Sequence, residues 1–125
     1  MDVNSRRLFS GCDNHMMAIV NADTGKVVAT PAIGEGVDAT AFDPATSFAV
    51  SSNDEGTLTV IHEDSPDEFT VVANVLTKKS ARTMALDLKT HNIFLPTAEF
   101  SAPAPGPRRG QMKPGSFALL VLSKN

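Results

Sequence analysis

A chain of 125 residues has the length of one ordinary domain, and 42% hydrophobic with 20% charged residues excludes bulk disorder. A formal net charge of −3 gives no overall basic field, which argues against a dedicated nucleic-acid binder. The single cysteine, Cys12, excludes an intrachain disulfide, and no apolar run approaches the length of about 18 residues expected of a membrane helix. The opening Met1-Asp2-Val3-Asn4-Ser5-Arg6-Arg7 has no apolar region of a secretory signal, so the chain as written is expected to be cytoplasmic.

In chain order, short runs rich in Val, Ile, Phe and Thr alternate with clusters of Gly, Pro, Asn and Asp. That is strand-and-turn punctuation, and no segment sustains a helical period. Ten strands are expected, near 7–12, 15–21, 26–32, 37–42, 47–52, 57–62, 68–75, 81–87, 92–98 and 117–122. Tight turns are expected at Asp13-Asn14-His15, at Asn21 to Lys26 with Gly25 free to take positive φ, at Asp43-Pro44-Ala45-Thr46, at Asn53-Asp54-Glu55-Gly56, and at Asp87 to Asn92.

The runs recur. Arg7-Leu8-Phe9-Ser10 returns as Ser47-Phe48-Ala49-Val50 and as Asn92-Ile93-Phe94-Leu95. Ala18-Ile19-Val20-Asn21 aligns with Thr59-Val60-Ile61-His62 at a spacing of 41. Val27-Val28-Ala29 aligns with Val71-Val72-Ala73, and Thr40-Ala41-Phe42-Asp43 with Met84-Ala85-Leu86-Asp87, both at 44. A period of this size built from short strands is the mark of a stacked or radial repeat such as a β-propeller blade. The expected fold is all-β: antiparallel four-stranded blades in an incomplete propeller of about two and a half units. A single domain, 1–125, divides into units near 1–36, 37–80 and 81–125. The third is interrupted at 100–116, a stretch with four prolines and three glycines that reads as an insertion loop between two hairpin strands.

Ile19-Val20-Asn21-Ala22-Asp23-Thr24-Gly25-Lys26-Val27-Val28-Ala29-Thr30, followed by Gly34-Glu35-Gly36-Val37-Asp38, resembles the repeat of the YVTN (YncE-like) seven-bladed β-propellers. The chain departs from that pattern where Val37-Asp38 and Ala81-Arg82 replace a proline before the innermost strand. It also departs where Glu63-Asp64-Ser65-Pro66-Asp67 replaces a Thr-Gly-Lys turn. The resemblance implies the C-terminal part of such a propeller, a relation to proteins that are often periplasmic or secreted, and a ligand site at one mouth of the central channel. In blade terms the chain begins at a second strand and ends after a third. That phase leaves exposed strand edges, so a homo-oligomer or the remaining blades of a larger propeller are the expected partners.

Loops entering the innermost strands gather at the mouth, and they carry Glu35, Asp38, Lys78, Lys79 and Arg82. These could form a polar funnel that attracts an anionic group, or an Asp–Arg pair with solvated lysines that only keep the rim soluble. The basic cluster Arg108, Arg109 and Lys113 in the insertion could meet phosphates, or be an ordinary flexible loop; without Trp or Tyr, stacking platforms for bases are scarce. His15, His62 and His91 fall at different repeat positions with no metal-site spacing, and no metal or other cofactor is expected. No nucleophile elbow, phosphate loop or dinucleotide fingerprint is present, and catalysis has no support. The expected function is a non-catalytic binding or interaction module for a small-molecule or protein ligand. The alternatives are a piece of a propeller enzyme or redox accessory protein whose site is shared with other blades, and nucleic-acid binding through the basic loop.

Overall fold

In the computed structural model, which describes residues 1–102 and 110–124, the apolar runs form ten strands, and there is no helix among the described residues. They are β1 (Arg7–Cys12), β2 (Met16–Asn21), β3 (Val27–Ala29), β4 (Val37–Asp43), β5 (Phe48–Asn53), β6 (Thr57–Ser65), β7 (Glu68–Leu76), β8 (Ala85–Leu86), β9 (Ile93–Thr97) and β10 (Ala118–Leu122). The fold is all-β, in three antiparallel sheets ordered β1-β2-β3, β4-β5-β6-β7 and β8-β9-β10. Ten strands were expected at these places, and most ends agree within about two residues.

The inner strands of the second sheet, β5 and β6, are buried on both faces, and strand periodicity explains how. On β5, Ala49 packs toward the first sheet with Met17, Ile19 and Ile61, while Val50 packs toward the third with Leu58, Ala81 and Leu95. Phe9 stacks on Phe42 at 4.8 Å and meets Phe69 edge-on at 6.1 Å, joining the first two sheets. Alternation then sends the neighbouring residues the other way. Leu8, Val20 and Val27 form a row across the outer face of the first sheet, and Ala85, Phe94 and Val121 a row across the third. Leu8, Val27, Leu119 and Val121 are all exposed.

Backbone conformation recurs along the chain. Five non-glycine residues have positive φ: Arg6, His15, Ser47, Ser80 and His91. Arg6, Ser47 and His91 lie 41 and 44 residues apart, and each is the fifth residue of a turn opened by an aspartate. The Asp2 carboxylate accepts from the Asn4 and Ser5 N–H groups, Asp43 from the Ala45 N–H and the Thr46 hydroxyl, and Asp87 from the Lys89 N–H and the Thr90 hydroxyl. His15 corresponds to Gly56 at 41, and Gly36 to Ser80 at 44. Against these marks the expected alignment of Arg7 with Ser47 and Asn92 is off by one. Arg7, Phe48 and Asn92 are the equivalent residues, since each follows the positive-φ position. A one-residue slip matters because it reverses which face each side chain meets.

The change from 41 to 44 has a physical address. From Asn21 to Lys26 the β2–β3 turn takes five steps, whereas from His62 to Thr70 the β6–β7 hairpin takes eight. The longer tip carries Pro66 and Asp67, and the buried Arg7 side chain donates to the Pro66 carbonyl at 2.5 Å and to Asp67 at 2.8 Å. The extra residues thus reach across and hold the first sheet.

Two strands are shorter than expected. β3 stops at Ala29 instead of continuing to residue 32, because Pro31 has no N–H and offers only its carbonyl, to Met17 N–H at 2.9 Å, and the pairing beyond it is a single bridge between Met16 and Ala32. β8 has two residues where 81–87 was expected. Continuing its register would set Thr83 opposite Pro96, which has no N–H to donate. The Arg82 carbonyl instead accepts from the Ser52 hydroxyl of the second sheet. In the 100–116 insertion, Phe100 bridges Met112, Ser101 N–H reaches Gln111 and Lys113 N–H reaches Glu99, so its ends pair as a short ladder where an unpaired loop was expected.

Candidate functional site

The polar end of β5 builds the candidate site. Ser51, Ser52 and Asn53 are fully buried, with Ser52 facing the third sheet and Asn53 the first. Asn53 Nδ2 donates to the hydroxyls of Thr57 and Thr59 at 3.0 Å each, and Thr59 donates to Asn74 at 2.8 Å. Thr59 in turn accepts the Gly34 N–H at 3.1 Å, which draws the loop before β4 down onto the β5–β6 hairpin. A side chain at Gly34 would collide with Glu55, Thr57 and Asn53, so this close approach requires glycine. On the other face Ser52 holds Arg82. Two loops are therefore held by the β5–β6 hairpin, one by Thr59 of β6 and the other by Ser52 of β5.

The loop between β7 and β8 crosses the same hairpin. Thr77 N–H bonds the Gly56 carbonyl at 2.8 Å and Ser80 N–H the Asp54 carbonyl at 2.9 Å. Thr97 donates its hydroxyl to the Lys79 carbonyl at 3.2 Å. Between this loop, the hairpin and the segment after β9 lies an open cleft of about 900 Å³. Its wall includes Asp54, Lys78, Lys79, Arg82, Glu99 and Lys113.

Lys78, Lys79 and Arg82 thus share one cleft. Asp38 lies behind it and does not line it, and Glu35 sits apart, its carbonyl accepting the Glu55 N–H at 3.4 Å. Arg82 Nη2 and Nε both reach Asp38 Oδ1, at 2.6 and 3.2 Å, and Nε lies 3.8 Å from Asp54. The Asp38 hydrogen bond pushes the Arg82 guanidinium further toward its charged form, against the opposing effect of burial. At 35% and 26% side-chain exposure this pair is worth at most about 1 kcal/mol, and it neutralises Arg82 more than it stabilises the fold. Lys78 and Lys79 form no ion pair among the described residues, whereas Lys113 pairs with Glu99 at 3.1 Å. Arg108 and Arg109 of the expected basic cluster lie outside the described residues.

The histidines do not converge. His62 pairs with Asp64 at 2.7 Å, His91 with Asp43 at 2.8 Å, and His15 occupies a hairpin turn. No group of three or more metal-ligating side chains occurs among the described residues.

Sequence reasoning missed two contributors. Sequence reasoning divides Ser51-Ser52-Asn53 between a strand ending at 52 and a turn starting at Asn53, although three successive polar residues here are a signal of buried hydrogen-bonding duty. The insertion was weighed only for its basic residues. Yet it joins the third sheet's counterparts of β5 and β6, whose connection lies at the cleft end, and so it had to form a wall there. No family model matches the chain, and no curated protein matches it either.

Proposed function

We propose that the three sheets are consecutive blades of a β-propeller of the YVTN type and that the chain is a binding module with its ligand surface at the cleft. The recurrence of positive φ at spacings of 41 and 44 supports the blade reading, as does the equivalent placing of the aspartate turns. The exposed apolar rows on the outer faces of the first and third sheets favour association, with a second copy of the chain or with further blades packed as these three are packed.

The observation that carries the ligand reading is the contrast among the cleft's cations. Arg82 is neutralised by Asp38, while Lys78 and Lys79 stand at the rim with no ion pair among the described residues. Two uncompensated ammonium groups over a concave polar surface suit an anionic group of a small molecule or protein. Calorimetric titration with tripolyphosphate at low ionic strength tests this. Binding should weaken at least about tenfold in Lys78→Ala plus Lys79→Ala and fade with added salt. Absence of binding, or binding indifferent to the double substitution, refutes the reading.

A further inference from the structure

A second concavity lies at the opposite end of β5 from the cleft. It is a pocket of about 220 Å³ between the second and third sheets, beneath the turns at Asp43–Thr46 and Asp87–His91. Phe48, Leu58, Val60, Val75, Ile93 and Leu122 give it apolar walls. An apolar cavity of about 150 Å³ accepts a benzene ring, so this one holds a ring with a short substituent.

Its mouth is polar and asymmetric. Asp43 is buried, and its carboxylate is already engaged by Ala45 N–H at 3.1 Å, the Thr46 hydroxyl at 2.9 Å and His91 Nδ1 at 2.8 Å. Both of its oxygens are therefore already occupied by donors. Lys124 Nζ lies over the Phe48 ring, 4.8 Å from its centroid, and has no carboxylate partner among the described residues. The charge at the mouth without a carboxylate partner among the described residues is positive, and it sits at the edge of an apolar, ring-sized volume.

We propose that this pocket is a binding site for a small monocarboxylate with an apolar body about the size of an aromatic ring. The body lies between the sheets, and the carboxylate pairs with Lys124, drawing the ammonium from the Phe48 face. The site is separate from the cleft, and Lys78 and Lys79 take no part in it.

Benzoate is the probe, with benzylamine as its cationic counterpart, followed by calorimetry and by methyl chemical shifts of Leu58, Val60, Val75 and Leu122. A ligand of this size should bind with a Kd of about 1 mM. Saturable benzoate binding that moves these methyls, with benzylamine weaker by about fivefold or more, the worth of one charge-assisted contact, is the expected result. Lys124→Ala should weaken benzoate about fivefold, and this exposed side chain can be removed without unfolding the chain. Val75→Trp, at a position 38% exposed, should fill the pocket and abolish binding, while Lys78→Ala plus Lys79→Ala should leave it unchanged. No saturable shift, benzylamine binding as tight as benzoate, or benzoate binding indifferent to Lys124→Ala would each overturn the proposal.

Discussion

Removing the Asp43 carboxylate should destabilise the fold through three donors at once. Asp43 is 5% exposed, and Asp43→Ala deprives the Ala45 N–H, the Thr46 hydroxyl and His91 Nδ1 of their acceptor. At about 1 kcal/mol for each, the loss is about 3 kcal/mol. Asp43→Asn keeps Oδ1 for the Ala45 N–H, and its amide, standing where Oδ2 was, donates to the Thr46 hydroxyl turned as acceptor, so the main loss is the bond with His91, about 1 kcal/mol. Urea unfolding at neutral pH measures both, and the alanine midpoint should fall by roughly 2 M. The gap between wild type and Asp43→Asn should also depend on pH. Burial alone would raise this carboxyl, but the hydrogen bonds from Thr46, Ala45 and His91 outweigh it and hold the pKa below the ordinary 3.8. Its stabilising contribution is therefore complete above 3.8 and is lost as the pH falls through the lower folded value. An Asp43→Ala loss under about 1 kcal/mol, or an asparagine variant as unstable as the alanine one, would refute the account of three donors.

Leu95→Ala removes a fully buried side chain where the second and third sheets meet, and should cost about 3 kcal/mol and lower the melting temperature by about 10 °C in calorimetry. Gly36 and Ser80 hold corresponding positions with φ of 70° and 68°, so exchange should act in opposite directions. Ser80→Gly should be neutral or stabilising by up to about 1 kcal/mol, whereas Gly36→Ala should destabilise, since its Cβ would also stand 2.9 Å from Asp54 Cβ; denaturant titration of both decides it.

Strand placement was legible because apolar runs and turn residues act locally. Phe48–Asn53 and Thr57–Ser65 flank Asp54-Glu55-Gly56, and nothing distant is needed to pair them. The length of β8 was not legible, because Ser52, thirty positions earlier, captures the Arg82 carbonyl. The register of the recurrence was blurred by similar apolar runs, and only the positive-φ residues fix its phase. The grouping of Lys78, Lys79 and Arg82 followed from their shared loop. Glu35 stayed outside because its own loop is pulled over the first two sheets by Thr59, a contact spanning 25 residues that composition does not reveal.

The brevity of β8 has a dynamic consequence. Only Ala85 and Leu86 tie this strand to β9, so the residues from Thr83 to Leu86 should open locally more easily than β9 and β10, which pair over five residues. One wall of the cleft continues directly into it. Amide hydrogens there should exchange with solvent well before those of β5 and β6. A ligand gripping Lys78 and Lys79 would register first as slowed exchange in those few amides.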